Sequence, residues 1–334
     1  MFRDAFEAFL TRHCPRAKVR QLESGTSVAT LWQLLVESGF LEIMASEARG
    51  GAHQDLAETL PLLYTLGAHT VPLPVGEAII LRALPTELLL DPARLPTLAP
   101  ALTREPSGDL LAPRVPHGMI ADDVVAEYDG EYWLLDAGQA DRLALGLHND
   151  TSADLRWPLA QIANATRAKV EAPVGHHLHT WSAALYAALL AGALTRCMEL
   201  TLQYSETRVQ FGKSISKFQA IQHQLAVMAE HVAAARMAAT YAFASGEHTP
   251  REIPAALAKA RASEAVTVVA PIAHAVHGAI GITAEYDLSL ITHRLHAWRI
   301  THGSELYWNH LIGRACLQGD FERAGDFIRA MVAE

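Results

Sequence analysis

The chain has 334 residues, half of them hydrophobic, and a formal charge of −9 with histidine neutral. That length allows two or three domains with a large core, and the acidic balance argues against a protein that grips a nucleic-acid backbone. Cys14, Cys197 and Cys316 are odd in number and far apart, which speaks against a disulfide framework or a cysteine metal site. The nearest approach to a membrane span, residues 178–197, is Ala-rich and carries His179 and Arg196, so it reads as a buried helix and no membrane association is expected. The opening Met-Phe-Arg-Asp-Ala-Phe-Glu has no signal-peptide pattern. With reduced thiols, this sets the expectation of a cytoplasmic protein.

Residues 1–90 read as helices. Phe2, Phe6, Phe9 and Leu10 recur at helical spacing, as do Leu31, Leu34 and Leu35. Glu47-Ala48-Arg49-Gly50-Gly51 is a turn. Another helix covers 55–67, Pro72 and Pro74 interrupt, and 76–84 resumes. Residues 91–175 change character. Prolines become frequent, and two strand-like runs, 124–128 and 131–135, flank Asp129-Gly130, a hairpin signal. Residues 155–164 and 168–174 are candidate further strands of a small β domain. Residues 176–334 return to helix: 178–204, 219–246, 253–277, 288–299 and 304–317, joined by short loops as in a bundle. The expected fold class is therefore mainly α with a small β domain in the middle.

The most distinctive stretch lies between the first two bundle helices. It reads Tyr204-Ser-Glu-Thr-Arg208-Val-Gln210-Phe211-Gly212-Lys213-Ser-Ile-Ser-Lys-Phe218-Gln219-Ala-Ile-Gln-His223. Gly212 suits a helix stop, and Arg208 and Lys213 could meet an anion there, the former through its rigid fork. Physics alone also allows an ordinary solvated corner. The ordered string, however, closely resembles the acyl-CoA dehydrogenase signature at this place. The resemblance implies an N-terminal helical domain, an abbreviated middle β domain and a C-terminal bundle, with FAD as cofactor. It further implies that Arg208, Gln210, Phe211 and Gln219 contact the FAD of a neighbouring subunit.

Two more stretches carry the resemblance. His277-Gly278-Ala279-Ile280-Gly281 is, by itself, a helix C-cap and loop. The family has Gln-x-x-Gly-Gly-x-Gly here beside the adjacent subunit's FAD, so His277 and Gly278 are implied cofactor contacts, while Ala275 replaces the Gln and Ala279 the second Gly. In Ile300-Thr301-His302-Gly303-Ser304 the family reads Ile-Tyr-Glu-Gly-Thr, its Glu being the base that removes the thioester α-proton. His302 stands at the base position, Gly303 beside the substrate and Ser304 by the cofactor. The alternative base position, on the first bundle helix, falls at Ser182. The family's Thr-Glu-x-x-x-Gly-Ser-Asp segment survives only as Leu102-Thr103-Arg104-Glu105-Pro106-Ser107-Gly108-Asp109, and no Trp-Ile-Thr follows.

A thioester α-C–H is a very weak acid, so its abstraction needs a close base in a dry site and donors to the developing enolate. The resemblance then leaves three readings. The favoured one is a flavoprotein subunit that desaturates an acyl-CoA thioester and depends on a catalytic sister subunit, in a heterotetramer, for its base. The second is a self-sufficient homo-oligomeric dehydrogenase using His302 or an acid such as Glu305. The third is a non-enzymatic dimerisation or thioester-binding protein. The clusters His176-His177-x-His179 and His293-x-x-His296 lack completing carboxylates or thiols, so no metal site is expected.

Overall fold

The computed structural model describes residues 2–84, 86–145, 151–162, 165–169, 177–244, 248–319 and 321–333. Five helices come first: α1 (Phe2–His13), α2 (Arg16–Glu23), α3 (Ala29–Ser38), α4 (Leu56–His69) and α5 (Val75–Ala83). Strands follow: β1 (Pro96–Ala99), β2 (Thr103–Arg104), β3 (Leu110–Val115), β4 (Asp123–Tyr128), β5 (Glu131–Asp136), β6 (Asp141–Ala144) and β7 (Ala153–Trp157), then a single helical turn α6 (Leu159–Ile162) and β8 (Thr166–Lys169). The remainder is α7 (His177–Thr207), the two short strands β9 (Val209–Gln210) and β10 (Lys213–Ser214), and then α8 (Gln219–Ala244), α9 (Glu252–His277), α10 (Asp287–Ile300), α11 (Glu305–Gln318) and α12 (Ala324–Ala333). Helices, a small sheet region and a helical bundle follow one another as expected. Contacts group the chain into two compact units, one of residues 8–59 and 71–182, the other of 1–7, 60–70 and 183–334. That grouping differs from a division into three consecutive parts, because most of α4 packs with the C-terminal helices.

In the first of these units the strands form two four-stranded sheets, ordered β1-β4-β5-β8 and β2-β3-β7-β6. The β4–β5 hairpin closes at Tyr128 opposite Glu131, and both turn residues are left-handed, Asp129 at φ 53° and Gly130 at φ 75°. Asp-Gly meets that need at little steric cost. Inward residues of the two sheets, among them Leu110, Val115, Val124, Trp133, Leu155 and Trp157, share one apolar core. The expected strand over 155–164 stops at Trp157. Pro158 cannot donate to a ladder, and α6 begins instead, its Leu159 N–H donating to Asp109 Oδ1 at 3.0 Å. Of the strand expected over 168–174, only Ala168 and Lys169 lie within described residues, and both belong to β8. Strands β1, β2, β3 and β6 carried no clear sequence signal. β1 pairs in parallel with β4 from far along the chain.

In the other unit, α7 is buried almost all round from Ala183 to Leu194, as its Ala-Leu composition requires. Where α4 meets α7 the backbones touch. A Cβ on Gly67 would lie 2.1 Å from the Leu189 carbonyl oxygen, and one on Gly192 would lie 2.1 Å from the Tyr64 carbonyl oxygen. Only glycine fits at either position. By length and composition α7 and α9 could each cross a bilayer, yet the most apolar stretch of α7 is 72% buried within the protein and packs as a core helix. Gly212 does not end a helix as expected. α7 stops at Thr207, and β9 pairs with β10 around Phe211 (φ 51°) and Gly212 (φ 77°), a two-residue hairpin. The Gly246 expected to close α8 lies outside the described residues.

Candidate functional site

Several of the residues singled out in the sequence meet in a cleft of about 460 Å³, whose lining includes Tyr204, Arg208, Gln210, Phe211, His277 and Gly278. The hairpin supplies one wall. Its backbone is pinned by Arg208 N–H to Tyr204 O at 2.9 Å and Ile215 N–H to Arg208 O at 2.9 Å. Holding two consecutive left-handed residues lifts Phe211 off the protein, leaving it 92% exposed, with Phe218 edge-on at 6.2 Å. The end of α9 supplies the other wall. Gly278 caps the helix at φ 63°, and its N–H donates to His274 O.

His277 is the best-anchored side chain here, 4% exposed. Its ring stacks on Tyr204 at 4.4 Å, and its Nδ1 sits 2.7 Å from the Ala273 carbonyl oxygen, which requires the proton on that nitrogen. Burial pushes the imidazole below the usual histidine range, so it is neutral near pH 7. Its Nε2 is buried and accepts no hydrogen bond from the described residues. A guanidinium, an amide and an exposed aromatic face together suit a ligand with a phosphate and a flat ring. Gln219 opens α8 and is exposed, outside the cleft lining.

The second group of predicted residues sits at the turn from α10 to α11. His302 (φ 52°) and Gly303 (φ 110°) are consecutive left-handed residues. His302 is half-buried and meets Tyr186 edge-on at 5.5 Å. A Cβ on Gly303 would stand 2.8 Å from both Trp308 Nε1 and Tyr307 Cδ1, so the site demands glycine. Ser304 precedes α11 as its cap residue without a side-chain capping bond. Glu305, the acid weighed as a base, is held by Arg299 through both carboxylate oxygens, Nε to Oε2 at 2.9 Å and Nη2 to Oε1. The hydrogen bond from Arg299, ahead of burial, keeps its carboxyl below the usual range, which makes it a poor proton acceptor. Ser182 is fully buried and donates to His179 O at 2.8 Å within its own helix.

Sequence reasoning missed Lys259. It sits on α9 with no exposed surface, and its Nζ reaches Ser263 Oγ (2.9 Å) and the carbonyl oxygens of Trp298 (3.1 Å), Arg299 (2.8 Å) and Gly303 (2.9 Å). The available signal was a single lysine in an otherwise Ala- and Val-rich helix. Among the described residues no three His, Cys, Asp or Glu side chains gather to hold a metal ion. His176 and the His177 side chain lie outside the described residues.

Comparison with known proteins places these features. Residues 178–317 match the family model described as "Acyl-CoA dehydrogenase, C-terminal domain". The acyl-CoA dehydrogenase IpdE2 of Mycobacterium tuberculosis is 32% identical over 305 residues, covering 89% of this chain and 90% of that protein. In fold, the chain resembles the ChsE4-ChsE5 complex from Mycobacterium tuberculosis, with a TM-score of 0.81 at 22% identity over 96% of this chain and 97% of that one. It also resembles the Tcur3481-Tcur3483 steroid ACAD, with a TM-score of 0.80 at 23% identity over 95% and 97%. A third of the residues shared with IpdE2 over nearly the full length of both proteins is a family relationship, and the chain belongs to the acyl-CoA dehydrogenase family.

Proposed function

We propose that this chain is one subunit of an FAD-dependent acyl-CoA dehydrogenase that desaturates an acyl-CoA thioester between its α and β carbons, and that a sister subunit brings the catalytic base. The observation that carries this reading is the turn after α10. The residue at the base position is His302, and the carboxylate three residues on is locked to Arg299. No carboxylate of this turn is therefore available to take the α-proton. The resemblance to the ChsE4-ChsE5 complex and to the Tcur3481-Tcur3483 steroid ACAD supports a heteromeric assembly and a bulky acyl group.

The cleft fits the nucleotide half of the cofactor. Arg208 can fork onto a phosphate, Gln210 can donate an amide N–H, and Phe211 offers its open face to a flat ring. His277 Nε2, fixed as an acceptor, suits a hydroxyl or amino donor. Bound flavin supplies the acceptor for the hydride that leaves the β-carbon. The chain's own contribution is to bind the cofactor with Arg208 and its neighbours and to shape the turn at 302–303.

A self-sufficient enzyme is the second reading, and one observation favours it. His302 is half-buried rather than sealed, and neutral imidazole is basic enough in principle to move a proton. Expression of the chain alone and with a longer homologous partner, followed by an absorbance spectrum and acyl-CoA reduction of the flavin, separates the two. Dependence on a partner predicts flavin retention and turnover only from the pair, with His302→Ala still active. A yellow, active chain on its own, silenced by His302→Ala, would overturn it.

A further inference from the structure

Among the described residues, the most deeply buried Lys or Arg of the bundle has no part in the chemistry above. Lys259 lies about two turns into α9, and three of its four acceptors are backbone carbonyls where α10 ends and the next turn begins. The last carbonyls of a helix lack partners within it and need some other donor. Here the donor arrives from a different helix. Ser263, one turn along α9, braces the same place, its hydroxyl lying 3.2 Å from Arg299 O. Like Asp129-Gly130 and Phe211-Gly212, the turn they hold places two left-handed residues in succession, here with a histidine first, and a non-glycine residue keeps that conformation where its surroundings impose it. Gly303, whose carbonyl Lys259 grips, has no room for a side chain.

We propose that Lys259 is the positioning residue of this turn: its amino group gathers the carbonyls of Trp298, Arg299 and Gly303, and so fixes the left-handed pair His302-Gly303 and the direction in which residue 302 faces. Burial lowers this amine to about 7, against Glu305 from α11, which favours its charge, and together with Arg299 from α10, which opposes it. As an ammonium it has three N–H groups for the three carbonyls, and as a neutral amine it still keeps two. What the turn faces, the thioester, rests on the functional reading above; the clamp itself does not.

Hydrogen–deuterium exchange on the full chain tests it. Lys259→Met keeps the length and removes the donors, whereas Lys259→Arg keeps them. In the Met variant the amides of Thr301 and Gly303, which now donate to Ala297 O and Ile300 O, are expected to exchange roughly tenfold faster while the buried part of α8 is unchanged, and the Arg variant should restore at least part of the protection. If Lys259→Met does not fold, Ser263→Ala removes one brace and is expected to speed the same amides by a few fold. Unaltered exchange at the turn, or acceleration spread evenly over the bundle, overturns the proposal. Binding of a medium-chain acyl-CoA to the same variants separates the two layers: a loosened turn with unchanged thioester affinity would leave the clamp standing and remove the turn from the substrate site.

Discussion

Arg208 and Lys259 are basic side chains that serve two bends of the same helical bundle, one standing at its bend and the other reaching its bend from α9, and their surroundings are opposite. Arg208 stands at an exposed hairpin beside a phenylalanine that touches little else of its own chain. Lys259 is sealed beneath three backbone carbonyls to which it donates, one of them shared with the Ser263 hydroxyl. An open bend keeps its donors for something that arrives, and a closed bend spends them on the backbone to hold a shape. On the functional reading proposed above the first is a binding surface, whereas the second is a scaffold.

Substitutions should reveal this contrast. The largest effect is expected from Lys259→Met, which takes the amine donor away from three carbonyls and should cost about 2–4 kcal/mol of unfolding free energy, read by urea denaturation. The same lysine gives the wild type a pH signature. Its amine titrates at about 7 in the fold, below the range of a free lysine, so between these values the unfolded chain binds more protons. Stability should accordingly rise as pH increases above about 7, and the slope should be absent from Lys259→Met.

Gly303→Ala comes next, at about 1–3 kcal/mol, since it adds a Cβ against Trp308 and Tyr307 in a left-handed residue. Thermal denaturation would show it, and a neutral result would mean that the turn is less tightly held than its geometry indicates. Glu305→Gln should cost about 1 kcal/mol through the lost pair with Arg299. Because that carboxyl titrates below its free value, its contribution is present above the free-Glu range and disappears as pH falls through the lowered value, so wild type and variant should converge in acid.

The smallest effect on folding is expected at the open bend. Arg208→Ala should leave stability within about 0.5 kcal/mol. Yet the assembled, flavin-loaded protein should release FAD roughly tenfold more readily, as measured by fluorescence of the freed cofactor. Destabilisation as large as that of Lys259→Met would erase the distinction between the two bends.

Local chemistry made part of this legible in advance. The Asp129-Gly130 hairpin, the Ala-Leu burial of α7 and the Gly278 cap each follow from neighbouring residues, and each stands in the structure. Sequence reasoning failed where distant segments decide. β1 owes its existence to β4, the short strands beside Phe211 replace a helix stop at Gly212, and α4 belongs with helices that follow the β strands. Arg208, Gln210, Phe211, His277 and Gly278 could be found because they form a recognisable string, and the fold then lines one cleft with them. Lys259 could not, since its partners are main-chain atoms some forty positions away, and the side chains of those residues give no hint of the bond.

The glycine contact between α4 and α7 bears on how the polypeptide matures. Gly67 leaves the ribosome long before Gly192, and each lets its helix approach the backbone of the other. Residues 60–70 must therefore wait, with their apolar side uncovered, until synthesis has run through the whole sheet region. During that interval the nascent chain carries an uncovered apolar helix, so this contact forms late in synthesis.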